Sequence, residues 1–153
     1  MKIIRPPRAV VLSDPSERFL FLAGSIEMGK AETWQTKVEE ELITTSWTIL
    51  NPRRDTWDPS WKQTVDDPQF SGQVNWELDA LSVAHKIFVY FSPNTKSPIT
   101  LLELGLYAKS GKLLVCCPDG FWRRGNVQIV CKRYSIPFVN TLQEAIILLK
   151  ETL

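Results

Sequence analysis

Two glutamates, Glu77 and Glu103, lie among apolar residues in segments with helical spacing. At about 100° per residue, Glu103 shares one sector of its helix with three apolar residues, Leu102, Leu106 and Tyr107. Neither helix capping nor the helix dipole explains this position, since it lies beyond the first turn. The alternative is that Glu103 lies at the edge of a packed face, with its methylene groups buried and its carboxylate in water.

The second carboxylate, Glu77, follows the same pattern on the preceding helix. The apolar stripe of that helix consists of Val74, Leu78 and Leu81. Glu77 falls on the side of the stripe and Asp79 on the opposite side, so we expect Glu77 to face a cleft and Asp79 to face solvent. The alternative is that Glu77 pairs with an arginine of residues 51–54.

Two inward carboxylates on adjacent helices suit displacement at a sugar carbon. One can attack the anomeric carbon while the other holds a hydroxyl group or assists with protons. A buried carboxylate is poorly solvated and is therefore the better nucleophile, provided that it remains ionised.

Alternating strands and helices must position these side chains. Strands are predicted at residues 18–23, 47–50, 86–91, 112–117 and 137–139, and helices at 32–45, 73–84, 98–110, 126–133 and 142–152. The pattern predicts an α/β fold with a mainly parallel, five-stranded sheet that has helices on both faces. Residues 1–18 are predicted to be an N-terminal arm with an edge strand at Ala9–Leu12, and residues 19–153 to be the domain.

The loops at the carboxyl ends of the strands are where ligands bind in such sheets. Residues 24–31 nearly match the phosphate-binding pattern G-x-x-x-x-G-K-[ST], but Ala31 replaces the hydroxyl residue and Glu27 adds a negative charge. We therefore expect a turn that presents its backbone to a neutral ligand, with Gly24 allowing close approach. The long loop at 51–72 contains Trp57, which could stack on a heterocyclic base or simply anchor the loop.

Composition excludes several classes of protein. The 153 residues suit one domain, and a net charge of +1 gives no electrostatic reason to bind a nucleic acid polymer or an anionic membrane. No apolar run approaches the roughly 20 residues that span a bilayer, and no signal peptide is expected. The chain has a single histidine, His85, which argues against a metal site built from histidines and against a Ser-His-Asp triad. The three cysteines are typical of reduced, buried thiols, so a cytoplasmic location is expected.

Several segments together carry a family resemblance. They are FLAGSIEMGK after the first strand, NPRRDTWD after the second, QVNWELDAL before KIFVYF, and SPITLLELGLYAKSG. In this order, over about residues 19 to 140, the chain resembles the nucleoside 2-deoxyribosyltransferase-like proteins. The resemblance implies a flavodoxin-like, doubly wound fold and a ping-pong mechanism with no metal and no organic cofactor.

The resemblance also implies roles for individual residues. Glu103 matches the catalytic glutamate that attacks C1' of a 2'-deoxynucleoside, and Glu77 matches an acid that contacts the sugar and supports the nucleophile. Asn126 matches an asparagine that family members lend to a neighbouring subunit, which implies a homo-oligomer, at least a dimer, with shared active sites. The remaining substrate-binding residues that we predict are Gly24, Ser25, Ile26, Asp55, Trp57 and Asp58.

One departure concerns the proton for the leaving base. Some family members have an aspartate six residues before the nucleophile, where this chain has Ser97. The proton must then come from Asp55, Asp58 or water. Related hydrolases of deoxynucleoside 5'-monophosphates are also similar to this chain, but Glu27 argues against a nearby phosphate.

Three functions follow from these observations. The first is a nucleoside 2-deoxyribosyltransferase, which would exchange purine or pyrimidine bases through a covalent deoxyribosyl-glutamate. The alternative is an N-glycosidase of nucleosides or nucleoside 5'-monophosphates, and the second alternative is a non-catalytic sensor of such molecules.

Overall fold

A six-stranded parallel sheet lies at the centre of the molecule. The computed structural model describes residues 1–11, 14–26, 32–54, 58 and 60–152. The strands are β1 (Lys2–Ile4), β2 (Arg18–Gly24), β3 (Trp47–Leu50), β4 (Lys86–Tyr90), β5 (Leu113–Cys116) and β6 (Phe138–Val139). The helices are α1 (Trp34–Glu41), α2 (Pro68–Val83), α3 (Pro98–Tyr107), α4 (Arg124–Arg133) and α5 (Leu142–Glu151).

The central strands are apolar along their whole length because helices cover both faces of the sheet. Helices α2, α3 and α4 contribute to the core on one face, through residues such as Ala80, Leu104 and Val127. Helices α1 and α5 contribute to the core on the other face, through residues such as Val38 and Ile146. The α/β, doubly wound architecture that the sequence predicts is therefore confirmed.

The strand order defines where a ligand crevice should lie. The order is β1-β3-β2-β4-β5-β6, which without the edge strand β1 is the flavodoxin-like order. From β2 the chain proceeds to β3 on one side, and from β4 it proceeds to β5 on the other side. This change of direction places a crevice outside the carboxyl ends of β2 and β4.

The prediction for the N-terminal edge of the sheet was wrong in two respects. The sheet has six strands rather than five, and residues 9–11 are not a strand. Instead Lys2–Ile4 pairs with β3, and the chain then turns at Pro6. The indole nitrogen of Trp76 donates to the carbonyl of Arg8 at 2.8 Å, which fastens the following segment to α2. The division between arm and domain at residue 18 stays a prediction.

Two helix boundaries also differ from the prediction. Helix α2 begins at Pro68 rather than at residue 73, because Asp67 caps it by accepting hydrogen bonds from the backbone nitrogens of Gln69 and Phe70. The predicted long loop therefore ends at residue 67 rather than at residue 72. Helix α1 covers Trp34–Glu41 rather than residues 32–45.

The predicted burial of the three cysteines was confirmed. Gly111 has a φ of 72°, in the left-handed region, and lies beyond α3, whose C-cap is Ala108. In the described part of the chain, no helix combines the length and apolar character needed to cross a bilayer.

Gly24, the last residue of β2, provides a test of the packing around the crevice. A β-carbon at this position would lie 2.5 Å from both the Trp34 ring and the backbone oxygen of Tyr90. We expect Gly24→Ala to lower the free energy of unfolding by about 2 kcal/mol or more, because the backbone oxygen cannot move aside cheaply. Urea unfolding of the two proteins measures this loss.

Gly72→Ala is the matched control. Gly72 lies in α2, and no heavy atom would come within 4 Å of an added β-carbon there. This change should leave stability equal or raise it by up to about 1 kcal/mol. Equal effects of the two substitutions would contradict the close packing at Gly24.

Candidate active site

A cluster of hydroxyl groups joins the carboxyl ends of β2 and β4. The Ser25 hydroxyl accepts a hydrogen bond from the backbone nitrogen of Ser92 at 3.0 Å and lies 2.9 Å from Thr95 Oγ1 and 2.6 Å from Ser97 Oγ. Ser25 is only 1% exposed. Ser97 precedes α3 with a φ of 48°, and its hydroxyl makes no side-chain cap. Ser25 therefore holds the start of α3 against the end of β2.

Helix α3 directs Glu103 inward. The helix packs on the sheet through Thr100, Leu104 and Ala108, which are four residues apart, and Glu103 lies on that side with 9% exposure. The predicted apolar sector was wrong, because Leu102 and Leu106 are 58% and 59% exposed. The helix is apolar on nearly all sides, so periodicity alone did not identify the packed row.

Glu103 has an unusual electrostatic environment. Burial, and secondly the charge of Glu77, raise the pKa of Glu103 to about 8. Among the residues that the structure describes, no lysine, arginine or histidine forms an ion pair with either glutamate. Among these residues, no cation offsets the unfavourable effect of the Glu77 charge on ionised Glu103.

Gln73 orients Glu77. Its Nε2 donates to Glu77 Oε1 at 2.7 Å and to the carbonyl of Pro52 at 3.1 Å, and its Oε1 accepts from Arg54 Nη1 at 3.4 Å. The arginine that we considered as a direct partner of Glu77 thus contacts Gln73 instead. Burial raises the pKa of Glu77, and the hydrogen bond from Gln73 opposes this change.

The packed face of α2 also differs from the predicted stripe. Leu78 is exposed, whereas Gln73, Trp76, Ala80 and Leu81 are buried. Glu77 is half-buried beside this face, and Asp79 is exposed as predicted.

The other predicted site residues are dispersed. Gly24, Ser25 and the half-buried Ile26 lie at the crevice, at the end of β2. Asn126 is exposed in the first turn of α4, and its role toward a neighbouring subunit stays a prediction. Asp55 and Trp57 lie outside the described residues, as does the segment 27–31.

Asp58 is poorly suited to protonate a leaving base. It is exposed, and hydrogen bonds from the side chain and backbone of Ser60 lower the pKa of its carboxyl group. A carboxyl group of lowered pKa holds its proton less readily near neutral pH. Its predicted contact with substrate is a separate question and stays a prediction.

Two cavities flank the carboxyl edge of the sheet. One, of about 330 Å³, lies beside Gln73 and is lined by Pro6, Pro7, Arg54, Pro68, Gln69, Gly72, Gln73 and Trp76. The other, of about 590 Å³, is lined by residues of the loops after β4, β5 and β6 together with Glu32. Glu103 lines neither cavity. Within the described residues, no group of three or more histidine, cysteine, aspartate or glutamate side chains is arranged to hold a metal ion.

The sequence reasoning missed Gln73 and Thr95. The spacing of Gln73 and Glu77, four residues apart on a helix, was an available signal for a hydrogen-bonded pair. Thr95 had no comparable signal, because its contact with Ser25 joins two loops that are 70 residues apart.

Comparison with known proteins identifies the family to which the chain belongs. The sequence pattern of the family described as "Nucleoside 2-deoxyribosyltransferase like" matches residues 17–121, more than half of the chain. The chain therefore belongs to this family. No curated protein sequence matches it.

A solved structure is similar in fold. It is the CMP N-glycosidase of Clostridium botulinum, with 16% sequence identity and a TM-score of 0.54. The similarity covers 86% of this chain and 98% of that one. At this identity the likeness establishes the shared fold.

The raised pKa of Glu103 predicts how stability depends on pH. Its ordinary value is 4.5, and between that pH and about 8 the folded protein holds a proton that the unfolded chain has released. Stability is therefore lost as pH rises through this window. We expect Glu103→Gln to match the parent near pH 5 and to be more stable by at least about 1 kcal/mol near pH 9.

Urea unfolding at the two pH values measures this difference. Glu40→Gln is the control, since Glu40 is an exposed glutamate on α1. A gain for Glu103→Gln that is the same at both pH values would contradict the electrostatic account.

Proposed function

We propose that this chain is a nucleoside 2-deoxyribosyltransferase that uses Glu103 as its nucleophile. The observation that carries the proposal is a buried carboxyl group at 9% exposure, coupled to Glu77 and without a cationic partner among the described residues. A carboxylate without an ion-pair partner retains its lone pairs for bonding to carbon. The family to which the chain belongs supports the choice of a nucleoside as substrate.

The proposed reaction has two steps. In the first, a carboxylate oxygen of Glu103 forms an ester bond to C1' while the N-glycosidic bond breaks, and the base leaves with that electron pair and gains a proton. In the second, a ring nitrogen of another base attacks C1', loses its proton and displaces the carboxylate. Glu77 contacts the sugar, and Gln73 holds Glu77 in place through the 2.7 Å hydrogen bond.

The reaction requires the ionised form of Glu103. With a pKa of about 8, roughly a tenth of the Glu103 groups are ionised at pH 7 in the free protein. When Glu103 is ionised, neither it nor the charged Glu77 holds a proton for the leaving base, and Ser97 offers no acid. The proposed source of that proton is therefore water or Asp55.

Hydrolysis is the second candidate. It is favoured by the similar structure, which is that of a CMP N-glycosidase. Transfer and hydrolysis share the first step and differ in whether a base or water takes the sugar.

Base exchange tests the proposal directly. Incubation with thymidine and adenine should yield deoxyadenosine and thymine, measured by chromatography. Glu103→Gln should lower the rate by about 10³-fold or more, because glutamine cannot form the ester. Asp79→Asn, on the exposed face of α2, is the matched control and should retain activity.

Other outcomes would replace the proposal. Release of free deoxyribose without exchange would assign hydrolysis. If the parent turned over no nucleoside or nucleoside 5'-monophosphate, and Glu103→Ala bound them as the parent does, the protein would be a sensor.

The pH profile tests the coupling of the two glutamates. We expect kcat/KM of the parent to rise with pH and to level off above an apparent pKa near 8, as Glu103 ionises. Glu77→Gln removes the second cause of the raised pKa but leaves burial, so the rising limb should move toward lower pH. The maximal rate should fall on the order of 10–100-fold, because the sugar loses its support. An unchanged rising limb in this variant would exclude coupling between the two groups.

A further inference from the structure

The larger cavity, of about 590 Å³, lies on the opposite face of the sheet from Glu103. Tyr90, which belongs to the α1 and α5 core, lines it, together with Thr141 and Leu142 at the start of α5. None of its described lining residues belongs to α2 or α3. The cavity is therefore separate from the pair of carboxyl groups, although both lie at the carboxyl edge of the same sheet.

A carboxylate is fixed in this cavity. Tyr90 Oη donates to Glu32 Oε1 at 2.7 Å, and Ser92 Oγ donates to the same oxygen at 3.1 Å. Arg53 Nη1 donates to the main-chain oxygen of Glu32 at 2.9 Å, which fixes the backbone of this residue. Burial and the neighbouring Glu32 raise the pKa of the Tyr90 phenol, so Tyr90 remains a donor. No described residue donates to the second oxygen, Oε2.

The remaining lining combines amides, hydroxyls and apolar walls. Asn94 and Asn140 offer both donors and acceptors, while Pro93, Pro118 and Leu142 provide flat apolar surface. No lysine, arginine or histidine is among the described residues that line the cavity. A phosphate beside Glu32 would meet the repulsion of its carboxylate, which favours a ligand with a ring and hydrogen-bond donors.

We propose that this cavity is a second small-molecule site, which binds a nucleobase or nucleoside through an exocyclic amino group donated to Glu32 Oε2. The site is inferred from the cavity itself, whereas the choice of nucleosides as its ligand class rests on the proposed function.

The carboxylate makes the site selective. An amino group donates a charge-assisted hydrogen bond to Oε2, whereas a carbonyl oxygen at the same ring position would face an acceptor and leave both groups unpaired. Because Tyr90 and Ser92 hold Glu32 before the ligand arrives, little ordering is needed on binding. We expect adenosine to bind about tenfold or more tightly than inosine, in which a carbonyl oxygen replaces the amino group and the ring nitrogen N1 carries a proton.

The experiment uses Glu103→Gln protein, so that no turnover occurs. Adenosine and inosine are titrated separately, and the backbone amide resonances of Asn94, Asn140 and Thr141 are followed by NMR. Saturable shifts at these amides with the stated preference for adenosine are expected. Shifts confined to residues around Glu77, or no saturation by millimolar adenosine, would overturn the proposal.

A second substitution makes the test specific. Adding Glu32→Gln keeps an oxygen for Tyr90 and Ser92 but directs an amide NH₂ group into the cavity, so the preference should reverse in favour of inosine. Adding Tyr90→Phe instead should weaken binding while the preference for adenosine remains. An unchanged preference after Glu32→Gln, in a protein that unfolds at the same urea concentration, would exclude Glu32 as the recognising group.

The outcome does not depend on catalysis. Base exchange by the parent protein is measured separately. Absence of exchange, together with preferred binding of adenosine over inosine, would contradict the proposed function but not the second site. Exchange without any binding at Asn94, Asn140 and Thr141 would contradict the second site but not the proposed function.

Discussion

The contact between the carboxyl ends of β2 and β4 is the constraint on which the rest of the structure depends. Gly24 lets the chain pass against Trp34 and the backbone of Tyr90, and the Ser25 hydroxyl then binds the Ser92 backbone nitrogen and contacts Ser97. Since Ser97 is the residue from which α3 starts, this contact sets where the helix begins and hence where Glu103 points. A small shift here would move the carboxylate relative to the sheet, and misplacement by about 1 Å can cost about 100-fold in rate.

The carboxyl pair on α2 and α3 is costly for stability. Burial of Glu103 and, secondly, the charge of Glu77 raise its pKa to about 8, which means that its ionised form is disfavoured in the folded protein. A glutamine or a leucine at this position would lower the free energy of unfolding less than the buried carboxyl group does. Residues that weaken the fold in this way are characteristic of functional sites, because the same poor solvation that destabilises the anion also makes it reactive.

The sequence was sufficient for strands β2 to β6, but it left Glu103 open between an inward position and the edge of a packed face. The strand predictions succeeded because apolar runs such as Phe19–Ala23 have one physical explanation in a sheet covered on both faces. The face of α3 was wrong because a helix that is apolar nearly all round lacks a unique stripe, so Leu102 was assigned to the packed side. The edge strand Lys2–Ile4 and the Ser25–Thr95 contact depend on tertiary pairing between distant segments, which no local pattern encodes.

Glu32 and Glu103 differ in their hydrogen bonding, and this difference supports the roles proposed for them, binding for Glu32 and reaction for Glu103. Glu32 accepts from Tyr90 and Ser92 on a single oxygen, which fixes its direction and lowers its tendency to attack carbon. Glu103 receives no hydrogen bond from the described residues, so its lone pairs remain available for a covalent bond. Thr95 contacts both regions, since it lines the cavity beside Glu32 and lies 3.0 Å from Ser97 at the start of α3. The Thr95 hydroxyl also lies 2.9 Å from Ser25 Oγ, so it connects the wall of this cavity to the contact that positions α3.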